Sequence, residues 1–398
     1  MHKLSLGLLA LFAFTISWEG TTDRLTLILL VIALVCTLMK CILERRIRRP
    51  PALFFVLGAL VCWQLATYYW SIDPTATLER VKYLLLSLSM VWMITELCRS
   101  EGERLLVAQA FIVGCFVLCG IIIHAYLTGE ANDTYRYVPT YVNANDGADL
   151  LAMGVALALL VVGSQPRNTV LWTNIVFIPV AFSAVLLTAS RGGFIIICLA
   201  AAGVFFVLRH VRIWARLAWV AILLAVLIGA FYSFAASQDL APNLERITFQ
   251  AETSSLDTFT GRTTIWSAAA EQFADSPFFG VGAGAFPFSV GEALGRPRAA
   301  HNLFIEGVVE TGLVGLALLI AAFVAATVPV LRSRDRQTSL RSVVLVVTLG
   351  ICMVGNFTAH YSLWFSLALL AITGVGAEAA ERTEEYSGDV RWKKGLAC

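Results

Sequence analysis

Leu105–Leu127 reads LLVAQAFIVGCFVLCGIIIHAYL, 23 residues without one Asp, Glu, Lys or Arg. A bilayer core about 30 Å thick is crossed by about 20 apolar residues in a helix, so this stretch is long enough to span a membrane. Its apolar residues run on without alternating, which excludes the strand pattern of a transmembrane β-barrel. Similar runs lie on either side, at Leu4–Trp18, Leu25–Leu43, Ala52–Trp70, Val81–Cys98, Gly147–Val162, Val170–Leu187, Gly193–Leu208, Leu217–Ala236, Leu303–Leu331, Ser342–Thr358 and Tyr361–Ala377. The expected class is an all-α polytopic membrane protein with about 12 transmembrane helices. The first run follows Lys3 as a signal peptide would. No small-residue cleavage pattern follows it, so it is read as a retained helix.

Composition agrees. Of 398 residues, 58% are hydrophobic and 14% charged, with a mean hydropathy of +0.77. Soluble domains average about 45–50% and 25%. A soluble enzyme, a disordered chain and a disulfide scaffold are excluded. The net charge of +2 supplies no field for nucleic acid. The nine cysteines lie mostly in apolar runs and form no CxxC, which suits small buried hydrophobes.

With the N-terminus cytoplasmic, 20 of the 29 Lys and Arg fall in inside segments, as the positive-inside rule requires. Both termini are expected inside. The expected organisation is helices 1–9 over 1–236, a large outer loop with short helices at 237–300, helices 10–12 over 301–377 and a cytoplasmic tail at 378–398. The remaining basic residues, Arg24, Arg80, Lys82, Arg136, Arg191, Arg246, Arg262, Arg296 and Arg298, lie outside and suggest an anionic ligand there.

Within the large loop, Gly261–Asp275 reads as an amphipathic helix with Ile265, Ala269 and Phe273 on one face, stopped by Ser276-Pro277. Gly280, Gly282, Gly284 and Gly291 follow among four phenylalanines, a composition suited to the membrane interface. Thr128–Asp149 is polar and carries Tyr135, Tyr137 and Tyr141, which suit either carbohydrate stacking or interface anchoring.

Three histidines, His124, His301 and His360, fall near the outer face, without the local spacing of metal ligands. His301 opens a helix whose N-terminus faces outward, a ready anion site. The spanning part of that helix can start at Gly312, leaving His301–Thr311 beside an outer cavity. Glu306 and Glu310 share one face there, able to orient a histidine or pair with outer arginines. Arg191 sits in the short outer turn Thr188-Ala189-Ser190-Arg191-Gly192-Gly193, where a charge near hydrocarbon is a functional candidate; snorkelling is the alternative. Arg262, at the start of the loop helix, opposes the helix dipole, which an anionic ligand would offset. Arg80 and Lys82, Arg136, Arg298, Asn302 and Glu306 are further candidates for the outer ligand site. No Asp-x-Asp metal clamp, phosphate-binding loop or GxSxG elbow occurs.

The chain resembles the O-antigen ligase family of the wider O-antigen ligase/polymerase superfamily. The likeness covers the span count, the termini and the long loop before a late histidine. Its most specific motif, H-[NSQ]-x9-G-x-x-[GTY], is matched by His301, Asn302, Gly312 and Gly315. Ser190–Gly193 and Gly261–Trp266 look like the family's two arginine segments. The resemblance implies transfer of an O-antigen glycan from undecaprenyl pyrophosphate to a sugar hydroxyl of lipid A–core, on the periplasmic side of a bacterial inner membrane. It implies no cofactor, no metal and no nucleic acid, with His301 as general base, Arg191 and Arg262 on the pyrophosphate, and inversion at the anomeric carbon. An O-antigen polymerase and a protein O-oligosaccharyltransferase are the nearest alternatives. A secondary transporter or lipid flippase is the alternative of another class, but no internal repeat is visible.

Overall fold

The computed structural model describes residues 1–17, 23–130, 136–139, 143–164, 167–209, 212–218, 261–333, 335, 337–355 and 360–372, with isolated residues at 220, 221, 225 and 229. Tyr135, Tyr141, Arg246, most of Leu217–Ala236, the loop at 237–260 and the tail at 378–398 lie outside the described residues.

Every regular element described is helical: α1 His2–Ile16, α2 Asp23–Glu44, α3 Ala52–Ala66 continued by a 3-10 turn Thr67–Tyr69, α4 Pro74–Leu97, α5 Glu101–Thr128, α6 Ala144–Gly163, α7 Asn168–Leu187, α8 Arg191–Ala202, α9 Val204–Val207, α10 Arg262–Asp275, α11 Phe286–Leu294, α12 Leu303–Arg332, α13 Thr338–Val354 and α14 Tyr361–Ala371. Six of these, α2, α3 with its turn, α5, α6, α7 and α12, are long and apolar enough to cross a membrane. The chain is a multi-pass membrane protein. Helices α1, α8 with α9, α13 and α14 are apolar but shorter, at 10–17 residues. Helix α4 starts before its apolar run because Asp73 caps it, accepting the Ala76 N–H at 3.0 Å, with Pro74 in the first turn.

Helix α6 is the centre of the bundle, packed by α5, α7, α8 and α13. Its apolar surface all round requires that burial. A smaller core joins α10, α11 and the start of α12 through Ile265, Ala269, Phe286, Val290 and Val309. The face expected of the loop helix is therefore the buried one, and that helix ends at Asp275, before Ser276-Pro277.

Helix α12 breaks at Gly312, whose φ of 65° and ψ of −170° interrupt the helical path. A β-carbon there would lie 2.1 Å from the Phe278 carbonyl oxygen, so only glycine fits. The break frees backbone groups that a buried helix must satisfy, and four of them have partners outside the helix. Val309 O accepts the Val281 N–H at 3.0 Å, Glu310 O the Gly282 N–H at 2.9 Å, and the Leu313 N–H donates to Pro277 O at 2.9 Å. Thr311 O accepts the Trp63 indole N–H at 2.9 Å. The glycine-rich segment, expected to suit the membrane interface, thus packs along the broken turn and against the start of α4, where Ala283 O accepts Thr77 Oγ1 at 2.8 Å. Trp63→Phe keeps the ring but orphans the buried Thr311 carbonyl. It is expected to destabilise by about 1–3 kcal/mol, read as a lower denaturation midpoint.

Candidate active site

Three segments singled out in the sequence meet at the C-terminal end of α13, where the last helical carbonyls lack internal partners. Arg262 Nη2 donates to Val354 O at 3.2 Å. Asn302 Nδ2 reaches Met353 O at 3.5 Å. In the Arg191 turn, a β-carbon on Gly192 would lie 3.2 Å from Val354 Cβ.

That turn is held from two sides. Ser190 caps α8, accepting the Gly193 N–H at 3.3 Å, and its Oγ lies 3.0 Å from Asn145 Oδ1. Asn145 also accepts from Arg136 Nη2 at 3.3 Å. The β-carbon Gly193 lacks would fall 2.3 Å from Ala148 Cβ, so the double glycine lets the start of α8, with Arg191 at its first position, pack directly on α6. Arg136 is placed by the Tyr137 N–H donating to Leu187 O at 3.1 Å.

His301 stands just before α12 in a left-handed conformation, φ 50°, which non-glycine residues rarely adopt. Asn302 performs the capping, accepting the Phe304 and Ile305 N–H groups at 3.0 and 3.1 Å. The His301 ring is thereby left without a hydrogen bond to another described residue. Burial pushes its pKa below the usual histidine value, and the charges of Arg262 and Arg136 push the same way. A neutral imidazole among cations at pH 7 suits a proton acceptor. Burial likewise works against the charge on Arg262, offset in part by the Asp149 carboxylate.

The remaining candidates are divided. Arg80, on α4, is held in a buried cluster: its Nη2 lies 2.7 Å from Glu306 Oε1 and 3.5 Å from Glu310 Oε1. Of the two readings open for Glu306 and Glu310, orienting a histidine or pairing with an arginine, the pairing is found. Lys82 pairs with exposed Glu79 at 2.5 Å. Arg298 is exposed between α11 and α12.

Sequence reasoning passed over Asn145, Asp146 and Asp149. Asp149 is 1% exposed, and neither carboxylate oxygen has a hydrogen-bond partner among the described residues. Its electrostatic neighbours are Asp146, Arg262 and His360. A signal was present: two carboxylates three residues apart at the head of an apolar run are candidates by position alone.

Residues 175–320 match the protein family described as O-Antigen ligase. This interval contains Arg191, Arg262, His301, Asn302, Gly312 and Gly315. An 80-residue stretch is 45% identical to the Exopolysaccharide production protein ExoQ of Rhizobium meliloti (strain 1021), a match covering 17% of this chain and 18% of that protein. Both matches agree with the resemblance read from the histidine and arginine motifs, over the part of the chain that they cover.

Proposed function

With residues 175–320 in the O-antigen ligase family, we propose that this protein is a glycosyltransferase moving a glycan from undecaprenyl pyrophosphate to a sugar hydroxyl of lipid A–core, at the periplasmic face of a bacterial inner membrane. The reading is carried by the half-buried His301 with Arg262 and Arg136 as its charged neighbours, an environment that lowers the histidine pKa. His301 takes the proton from the acceptor hydroxyl. The freed oxygen attacks the anomeric carbon, and the bond from that carbon to the pyrophosphate oxygen breaks. The bonding pair leaves with the pyrophosphate, whose growing charge Arg191 and Arg262 hold. A single displacement inverts the anomeric centre. The sugar–pyrophosphate bond supplies the energy, so ATP is not required, and the two guanidinium groups supply the positive charge that the leaving pyrophosphate needs.

The likeness to a protein named for exopolysaccharide production favours a second reading. There the acceptor is another lipid-linked glycan and the product a longer polysaccharide. Purified protein in lipid, given undecaprenyl-pyrophosphate glycan and lipid A–core with a chelator and no ATP, separates the two. Glycan on lipid A–core supports the first. Lengthening on the donor lipid supports the second. Neither product would overturn both.

The base assignment carries its own pH dependence. The lowered pKa of His301 keeps it unprotonated down to below the ordinary value of about 6.5. Activity is expected to be flat above that value and to fall only as pH drops through the lowered pKa. Arg262→Gln removes one cause of the lowering, so its acid limb should move to higher pH, whatever its maximal rate. A pH–rate profile of kcat/KM for both proteins checks this; an unmoved limb would refute the coupling.

A further inference from the structure

At the end of α4 remote from Arg80, the turn between α2 and α3 brings Arg45, Arg46 and Arg48 beside Glu96 and Arg99, around an open pocket of about 650 Å³. Both carboxylates there are already engaged. Glu96, 1% exposed, binds the fully buried Lys40 through Nζ at 2.5 Å and accepts the Arg48 N–H at 2.8 Å. Glu44 accepts from Arg99 Nη2 at 2.9 Å and lies 3.3 Å from Lys40 Nζ. The Arg48 guanidinium donates to Thr95 O at 3.2 Å. Arg45 and Arg46 are exposed and have no carboxylate partner among the described residues.

Arginines near a helix end at a membrane surface are common. This group differs in two respects. The Arg48 and Lys40 bonds tie the turn to α4, so the pocket is formed before anything binds, which lowers the ordering cost of binding. The cations are also flanked by exposed apolar side chains, Ile42, Leu43 and Ile47, at 67, 65 and 70% exposure. Guanidinium groups match phosphate oxygens in fork geometry, and apolar surface next to them matches acyl chains. We propose that this pocket is a phosphate-binding site, filled by the phosphodiester of an anionic phospholipid or by free phosphate.

The test uses the full chain in detergent, followed by thermal unfolding during titration with phosphatidylglycerol, inorganic phosphate or phosphate-free diacylglycerol. Phosphatidylglycerol is expected to raise the midpoint, and the effect should weaken with salt. Arg45→Gln/Arg46→Gln should shift the titration to at least about tenfold higher lipid. Both residues are exposed, so the variant should melt like the parent without lipid. A rise with phosphatidylglycerol only assigns the site to lipid; a rise with inorganic phosphate as well assigns it to phosphate from either source. An equal rise with diacylglycerol, no rise, or a rise the double variant keeps would overturn the proposal.

Discussion

Replacing His301 by alanine is expected to lower glycan transfer by about 10²–10⁴-fold, the usual contribution of a general base, with little loss of stability. The two outcomes separate because the residue's neighbours divide the labour. Asn302, not His301, satisfies the first amides of α12. The ring makes no hydrogen bond to another described residue, so its removal orphans nothing. The left-handed backbone is also tolerated by alanine in this fold, since Ala189 adopts φ 50° as His301 does. Transfer and a melting curve measured on the same preparation check the claim. Near-normal transfer by a folded variant would remove His301 from the mechanism. Asn302→Ala should do the reverse, lowering stability by about 1 kcal/mol through the lost cap.

Arg80→Ala is expected to destabilise the fold by about 3–5 kcal/mol, the effect of breaking a buried ion pair from one side. Glu306 and Glu310 are 3% and 1% exposed, and Arg80 is the cation beside both. Removing it leaves two like charges together in a low-dielectric site. Adding Glu306→Gln and Glu310→Gln to Arg80→Ala should recover much of the loss, because neutral amides carry a smaller desolvation penalty. Denaturation midpoints of the parent, single and triple variants read this directly. The cluster joins α4 to the part of α12 above the break, so its loss should also disturb His301. Full stability in Arg80→Ala combined with lost transfer would return Arg80 to the substrate-binding role its outward position suggested.

Much of the architecture is legible in the residues because the bilayer imposes a length and a polarity that local composition reports. Among the described residues, the runs around Leu105–Leu127 coincide with helices, and the amphipathic segment buries the face that Ile265 and Ala269 mark. The candidate site is legible in part. The motif spacing picks out His301, Arg191 and Arg262, and the helix break at Gly312 stands where the motif places a glycine. Asp149 carries only a weak signal, because a carboxylate at the head of an apolar run reads equally as the edge of a span. Its significance comes from Arg262 and His360, residues more than a hundred positions away.

Spacing, composition and charge asymmetry are properties of neighbouring residues. They therefore report helical and membrane character, and mark the histidine and arginine motifs as candidates, before any folding is considered. Partnership is different. Arg80 is outward-lying and basic in the sequence, as Arg262 is. One is enclosed by two carboxylates of α12, while the other reaches the end of α13 beside His301. That difference arises when helices distant in the chain pack together, because Coulomb and desolvation energies depend on distance and burial in space. The Gly312 break follows the same logic. Its glycine is visible in the chain, but the N–H groups that satisfy the freed carbonyls come from Val281, Gly282 and Trp63, which only packing brings there.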